Sequence, residues 1–205
     1  MIQQETEEDR LHRDEACLKL SKEGRRFFKF IEFDSNENLV TEIRKHPFGL
    51  FLIFATGALI TVALLAVGAV GGFLDFGGSG TEGANSLKPV LVLISFVLLI
   101  GTLIMTYIGA FLYTSNVIFV TSEKIAQVLY ISLFNRKVSQ LSIGDVQDVT
   151  VTQNGVMAHI FNYGTLVIES AGEQENYKFT YVPEPYEVSK LIVGAHERNL
   201  VQYGN

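Results

Sequence analysis

The chain has 205 residues, 48% of them apolar and 19% charged, and a net charge of −6. An acidic chain without a basic stripe is not built for nucleic acid, and its one cysteine, Cys17, excludes an internal disulfide and a thiolate metal cluster. The charges lie almost wholly outside two uncharged stretches, residues 47–74 and 89–122.

Residues 1–24 read as a polar tail, solvated or a short surface helix, with sparse apolar positions at Leu11, Leu18 and Leu20. Residues 25–46 form a juxtamembrane segment opening on RRFFKFIEFD. Its Phe28, Phe30 and Phe33 interleave with Lys29 and Glu32 at near period two. That pattern predicts either a strand or linker packed on a later domain, or an aromatic-basic segment at lipid headgroups. Ser35 or Asn36 is placed to cap a helix carrying Leu39, Val40 and Ile43 toward Arg44 and Lys45.

Residues 47–113 read as a two-helix transmembrane hairpin. A hydrocarbon core of about 30 Å needs roughly 20 apolar residues in a helix, and both uncharged stretches exceed that. The first follows a long charged leader, which separates it from a secretory signal. Its Gly68 and Gly72 have the small-xxx-small spacing that lets helices approach closely in lipid. The linking DFGGSGTEGANS lacks the Gly-Lys-Ser/Thr ending of a phosphate loop and reads as a turn. Pro89 suits the first turn of the second helix, and Tyr107 and Tyr113 lie toward its far end, where aromatic rings favour the interface.

Basic residues near the helix ends predict orientation. Arg25, Arg26, Lys29, Arg44 and Lys45 precede the first helix, and Lys124, Arg136 and Lys137 follow the second. The connection has Lys88 against Asp75 and Glu82. This predicts a multi-pass protein of the plasma membrane with both termini cytoplasmic, Arg44 and Lys45 acting as topology determinants.

Residues 114–200 carry strand signals at short intervals: NVIFVT, KIAQVLYISL, VSQLSI, DVQDVTVTQ, GTLVIES and NYKFTYV. Asn135-Arg136-Lys137, Gly144-Asp145, Asn154-Gly155 and Ala171-Gly172 read as turns, and VMAHIFNYG as a short helical excursion. Regular short strands predict an antiparallel sandwich or barrel. After Pro183 and Pro185, apolar residues at Tyr186, Val188, Leu191, Ile192 and Ala195 predict an amphipathic helix of about three turns.

Chemistry is sparse. His12, His46, His159 and His196 share no ligand spacing, Asp145 and Asp148 lack a matching pocket motif, and no nucleophile elbow occurs. Neither apolar stretch holds an ionisable residue that would mark a proton or ion path. No catalytic residue, cofactor or metal is expected, and no small-molecule site.

The stretch LYTSNVIFVTSEKIAQVLYISLFNRKVSQLSIGDVQDVTVTQ, then FNYGTLVIESAG and the closing KFTYVPEP, resembles the bacterial pleckstrin-homology-like, membrane-flanked family. RKHPF before the first helix also fits the family's flanking pattern. The resemblance covers about three-quarters of the chain. It implies a membrane α-helical hairpin plus a mainly-β PH-like barrel closed by a C-terminal amphipathic helix. Eukaryotic pleckstrin-homology domains often bind phosphoinositides through a basic pocket between early strands. The turn corresponding to that site offers Arg136 and Lys137 as a possible headgroup contact, fewer cations than such recruitment needs. The leading expectation is a non-enzymatic, membrane-anchored module that presents a cytoplasmic PH-like domain to a protein partner or to itself. The alternatives are an oligomeric channel or channel accessory subunit and, after that, anionic lipid headgroup binding.

Overall fold

A computed structural model describes residues 7–34, 36–73, 87–171 and 177–203. The chain divides into two compact units, one drawn from residues 1–48 and 112–205, the other from residues 49–111.

The second unit consists of the bodies of two helices, α3 (Pro47–Phe73) and α4 (Leu87–Thr114). Each is long and apolar enough to cross a membrane, and most of its apolar side chains are exposed. Four of their hydroxyls are satisfied within the helix: Thr56, Ser95, Thr102 and Thr106 donate to carbonyls one turn back at 2.8–2.9 Å. Such groups need no water, which suits an apolar solvent. Close approach occurs at Gly57, where an added Cβ would lie 2.8 Å from Thr106 Cγ2. The sequence had pointed instead to Gly68 and Gly72. Gly68 faces Ser95 at ordinary contact distance, and the surroundings of Gly72 lie outside the described residues, as does the linking turn.

The first unit is built on two antiparallel sheets. One has the order β1 (Leu39–Arg44), β2 (Val117–Thr121), β3 (Lys124–Tyr130), β4 (Arg136–Ser142). The other is β5 (Val146–Thr152), β6 (Tyr163–Ser170), β7 (Tyr177–Pro183). A 3-10 turn at Ile143–Asp145 leads from one sheet to the other, and the short helix α5 (Val156–Ile160) links β5 to β6. Ile43, Ile118, Val120, Ile125 and Leu141 of the first sheet meet Leu166, Ile168 and Phe179 of the second. The C-terminal helix α6 (Pro185–Tyr203) adds Val188, Ile192 and Ala195 to this core.

The other face of the first sheet is covered as well. Helices α1 (Glu7–Lys19) and α2 (Lys22–Phe28), with Leu20 between them, lay Ala16, Leu20, Phe27 and Phe28 on Val117, Phe119, Ala126 and Val128. Burial on both faces explains why β2 reads Val-Ile-Phe-Val-Thr with no polar alternation. Ser21 caps α2, accepting from Gly24 N at 2.9 Å, while Glu42 on β1 takes the Ser21 N–H at 2.8 Å and its hydroxyl at 2.6 Å. Gly24 carries no side chain because the Glu42 carboxylate occupies that space.

Several expectations change here. The PH-like barrel is not closed among the described residues; there are two sheets, whose outer strands β1 and β7 converge at one end. Residues 39–44 form a strand, not a capped helix, because β-branched Val40, Thr41 and Ile43 pair with β2; Ser35 lies outside the described residues. Phe28, Phe30 and Phe33 belong to the end of α2 and the chain after it, packed in the core rather than on a strand. Residues 7–19 form a short helix, one of the two readings of the polar tail, but it is not wholly solvated: Ala16 is buried, as is Leu20 just after the helix. The β domain was placed at 114–200, yet its first strand and two covering helices precede α3. On α6, Leu191 is 42% exposed, and Val188, Ile192 and Ala195 form the inward stripe.

Candidate functional site

The outer strands β1 and β7 are joined at one end by a backbone bond, His46 N to Tyr181 O at 2.6 Å. Beside that join the two sheets part, leaving a cleft of about 110 Å³. Ile43 and Arg44 of β1 and Lys45 just after it form one wall of the cleft, Asn116 just before β2 and Gln127 of β3 line the floor, and Lys178, Thr180 and Tyr181 of β7 form the other wall. Among the described residues, its lining contains no histidine, cysteine or carboxylate.

A local irregularity builds the β7 wall. The β6–β7 register slips between Gly164 and Leu166, and Tyr181 takes a left-handed φ of 57°. A bulge of this kind turns a side chain out of its alternating direction. Here it sets Tyr181 against Tyr163, ring centres 5.3 Å apart, and against Tyr113 at 5.9 Å. The aromatic run continues through Tyr163 to His46 at 5.4 Å and Phe48 at 5.1 Å, and from Phe48 to Phe161 at 4.8 Å.

His46 and Lys45 stand where β1 becomes α3. His46 caps that helix: its Nδ1 accepts the Phe48 N–H at 3.1 Å, with Pro47 at the first helical position. Its carbonyl accepts the Tyr113 hydroxyl at 2.7 Å. Burial pushes the imidazole pKa down, which agrees with a neutral ring accepting at Nδ1. Burial likewise pushes the Lys45 ammonium down; its Nζ lies 5.0 Å from the centre of the Tyr113 ring.

Arg136 and Lys137 open β4 and point to opposite sides of the sheet. Arg136 lies on the side covered by α1 and α2, its guanidinium 3.7 Å from the centre of the Phe30 ring. Lys137 pairs with Leu129, a residue of the cleft wall. Strand alternation therefore keeps the two from gripping one headgroup together. Arg44 is engaged by Glu23 of α2 at 3.2 Å. Lys178, Asn116 and Gln127 carry no local motif and become neighbours through sheet packing alone.

Four further polar groups make contacts within the fold. His12 Nε2 meets the Glu37 carbonyl at 2.7 Å and its ring stacks on Phe33. His196 Nδ1 meets the Ile143 carbonyl at 2.6 Å, tying α6 to the 3-10 turn. Asp148 bonds Val149 N and the Thr150 hydroxyl, a local arrangement. Asp34, Glu37 and Glu123 have the spacing of a cation site. Lys124, however, places its ammonium 3.1 Å from the fully buried Glu37 and 3.9 Å from Asp34, and the Thr121 hydroxyl donates to Glu37. The lysine supplies the positive charge there.

A family model described as "Bacterial PH domain" matches residues 49–195, well over half of the chain. The chain belongs to the bacterial PH domain family. The match takes in the two apolar helices as well as β2 to β7, and the two antiparallel sheets with a C-terminal helix are consistent with a PH-like fold. Among solved structures, the chain is similar to a DUF1696 family protein with a pleckstrin-homology domain from Shewanella loihica PV-4. That similarity is at 14% identity and TM-score 0.32, over 40% of this chain and 70% of the other. At that level it carries no argument about shape beyond the family match. No curated protein matches the chain.

Proposed function

We propose that this bacterial PH domain protein is a non-enzymatic, membrane-anchored interaction module that presents its cleft to an extended, acidic segment of a partner protein. The observation that carries this reading is the cleft itself, set between two outer strands, β1 and β7. Outer strands offer unpaired backbone groups, and an extended peptide binds such edges by strand addition. Lys45 and Lys178 suit an acidic side chain, and a lining without an acid–base or nucleophilic pair suits binding rather than turnover.

Anchoring is supported by the exposed apolar surface of α3 and α4. Sheet topology bears on sidedness. Arg44, three residues before α3, pairs with Val117, three residues after α4. Both flanks of the helices thus belong to one folded domain, which supports a hairpin with both flanks on one side of the bilayer. The excess of Lys and Arg on those flanks supports the cytoplasm as that side.

A photo-crosslinking residue in place of Thr180, in the full-length protein in native membranes, tests the reading. A protein adduct that is lost in Lys45→Glu/Lys178→Glu supports it. A lipid adduct with the same charge dependence would favour the second reading, anionic headgroup binding in this cleft. Absence of both adducts rejects the cleft as a binding site.

A further inference from the structure

Exposed apolar side chains of the first unit gather at the end of the domain where the chain passes to α3 and returns from α4. Strand register establishes which end this is. Val117, which starts β2, lies opposite Arg44 at the end of β1 and Val128 on β3. Running on from Val128, the β3–β4 hairpin therefore extends past Asn116, whose side-chain oxygen accepts the Tyr130 N–H at 2.8 Å. Its tip is ordered: Ile131 N and Ser132 N both donate to Asn135 O, at 3.0 and 3.1 Å. That ordered turn holds Ile131, Leu133 and Phe134 in the open, Phe134 at 99% exposure.

The second group is on α5. Val156, Met157 and Ile160 are exposed, and Phe161 stacks on Phe48 in the first turn of α3. The β6 strand that follows pairs Tyr163 with Pro183, beside the His46–Tyr181 join. So α5 and the hairpin tip mark the same end of the domain, and Phe161, just after α5, meets Phe48 at the point where the first unit ends. Ile131, Leu133 and Phe134 together on one short tip form an apolar cluster rather than a scattered surface residue, and such clusters mark membrane or partner contacts.

We infer that the β3–β4 hairpin tip and α5 are two lipid-inserting feet that seat the PH-like domain on the bilayer. The proposal rests on the anchoring part of the preceding reading and adds a contact that the spans alone do not require. Each foot would lie about 5–10 Å into the headgroup and acyl boundary, the depth at which interfacial apolar side chains settle. Lys137, directly after the tip, matches an anionic leaflet. With the domain seated in this way, the cleft between β1 and β7 would open close to the membrane surface, within reach of a partner's juxtamembrane segment.

The test uses full-length Cys17→Ser protein in nanodiscs containing anionic lipid. Single cysteines at Phe134→Cys, Ile160→Cys, Val62→Cys and Ser142→Cys carry an environment-sensitive fluorophore, with spin-labelled lipids as quenchers at known depths. Ser142 pairs with Lys124, at the opposite end of the sheet, and serves as the aqueous control. The expected result is blue-shifted emission and shallow quenching at 134 and 160, deep quenching at 62, and none at 142. Deep quenching at 62 with none at 134 or at 160 overturns the two feet and leaves the anchoring intact. A label at 62 beyond reach of every quencher overturns both.

Discussion

At the residue scale, His46 joins the most functions: it caps α3, bonds Tyr181 through its backbone and receives the Tyr113 hydroxyl. Its pKa lies below the usual value of about 6.5 because burial disfavours the imidazolium. The unfolded chain therefore takes up this proton first on acidification. The stabilisation is complete above about pH 6.5 and is lost as pH falls from there through the folded value. Thermal melts of the full-length protein should show an acid-side loss that is smaller in His46→Asn, which keeps a capping acceptor without titrating. His46→Ala should lower stability at pH 8 by about 1 kcal/mol, the usual worth of a helix cap. Gly57 is the corresponding point in the second unit. Gly57→Leu should destabilise the helix pair against Thr106, and Thr106→Ala should recover part of the loss, read from detergent-resistant melting of single and double variants.

At the scale of elements, β1 and α2 matter most, because they come from one side of the helical stretch and complete a domain coded mainly on the other. Without them Val117, Phe119 and Val128 lose their cover. Residues 115–205 alone should therefore stay poorly folded, with weak chemical-shift dispersion. Arg44 and Val117 are cross-strand neighbours, so a short Gly/Ser linker can replace residues 47–113. The joined protein should fold cooperatively, and Phe28→Ala in it should cost about 3–5 kcal/mol by urea unfolding. A well-dispersed spectrum from 115–205 alone would show that β1 and α2 are dispensable.

At the scale of the whole molecule, the proposed function divides anchoring from recognition. The two apolar helices are the proposed anchor, and Thr56, Ser95, Thr102 and Thr106 bond within them, which suits an apolar solvent. The β unit supplies the cleft. A membrane-impermeant thiol reagent applied to intact cells checks the topology in a Cys17→Ser background. Ser79→Cys, in the connection between the helices, should be labelled from outside and Ser170→Cys should be spared. Labelling of Ser170→Cys alone would invert the orientation, and labelling of both would reject a hairpin.

Periodicity and composition were enough for the two apolar helices, the β2–β7 strands, the short α5 and the C-terminal helix, since each rests on a local pattern. Uncharged runs of such length have one favourable solvent, and alternating β-branched segments between turn residues have few conformations to choose from. Residues 7–44 were only partly legible for a converse physical reason: a short helix and a packed linker were among the readings, but their burial and strand β1 were missed. Their helices are short and rich in charge, and β1 is a strand only because β2, more than seventy residues later, offers a partner. The cleft was hidden likewise: Lys45 was visible as a charge beside a helix, but Lys178, Gln127 and Asn116 meet it only after β1 and β7 converge. Local sequence determined most of the elements and the apolar character of α3 and α4. Long-range strand pairing across the helical stretch decided which residues share a site.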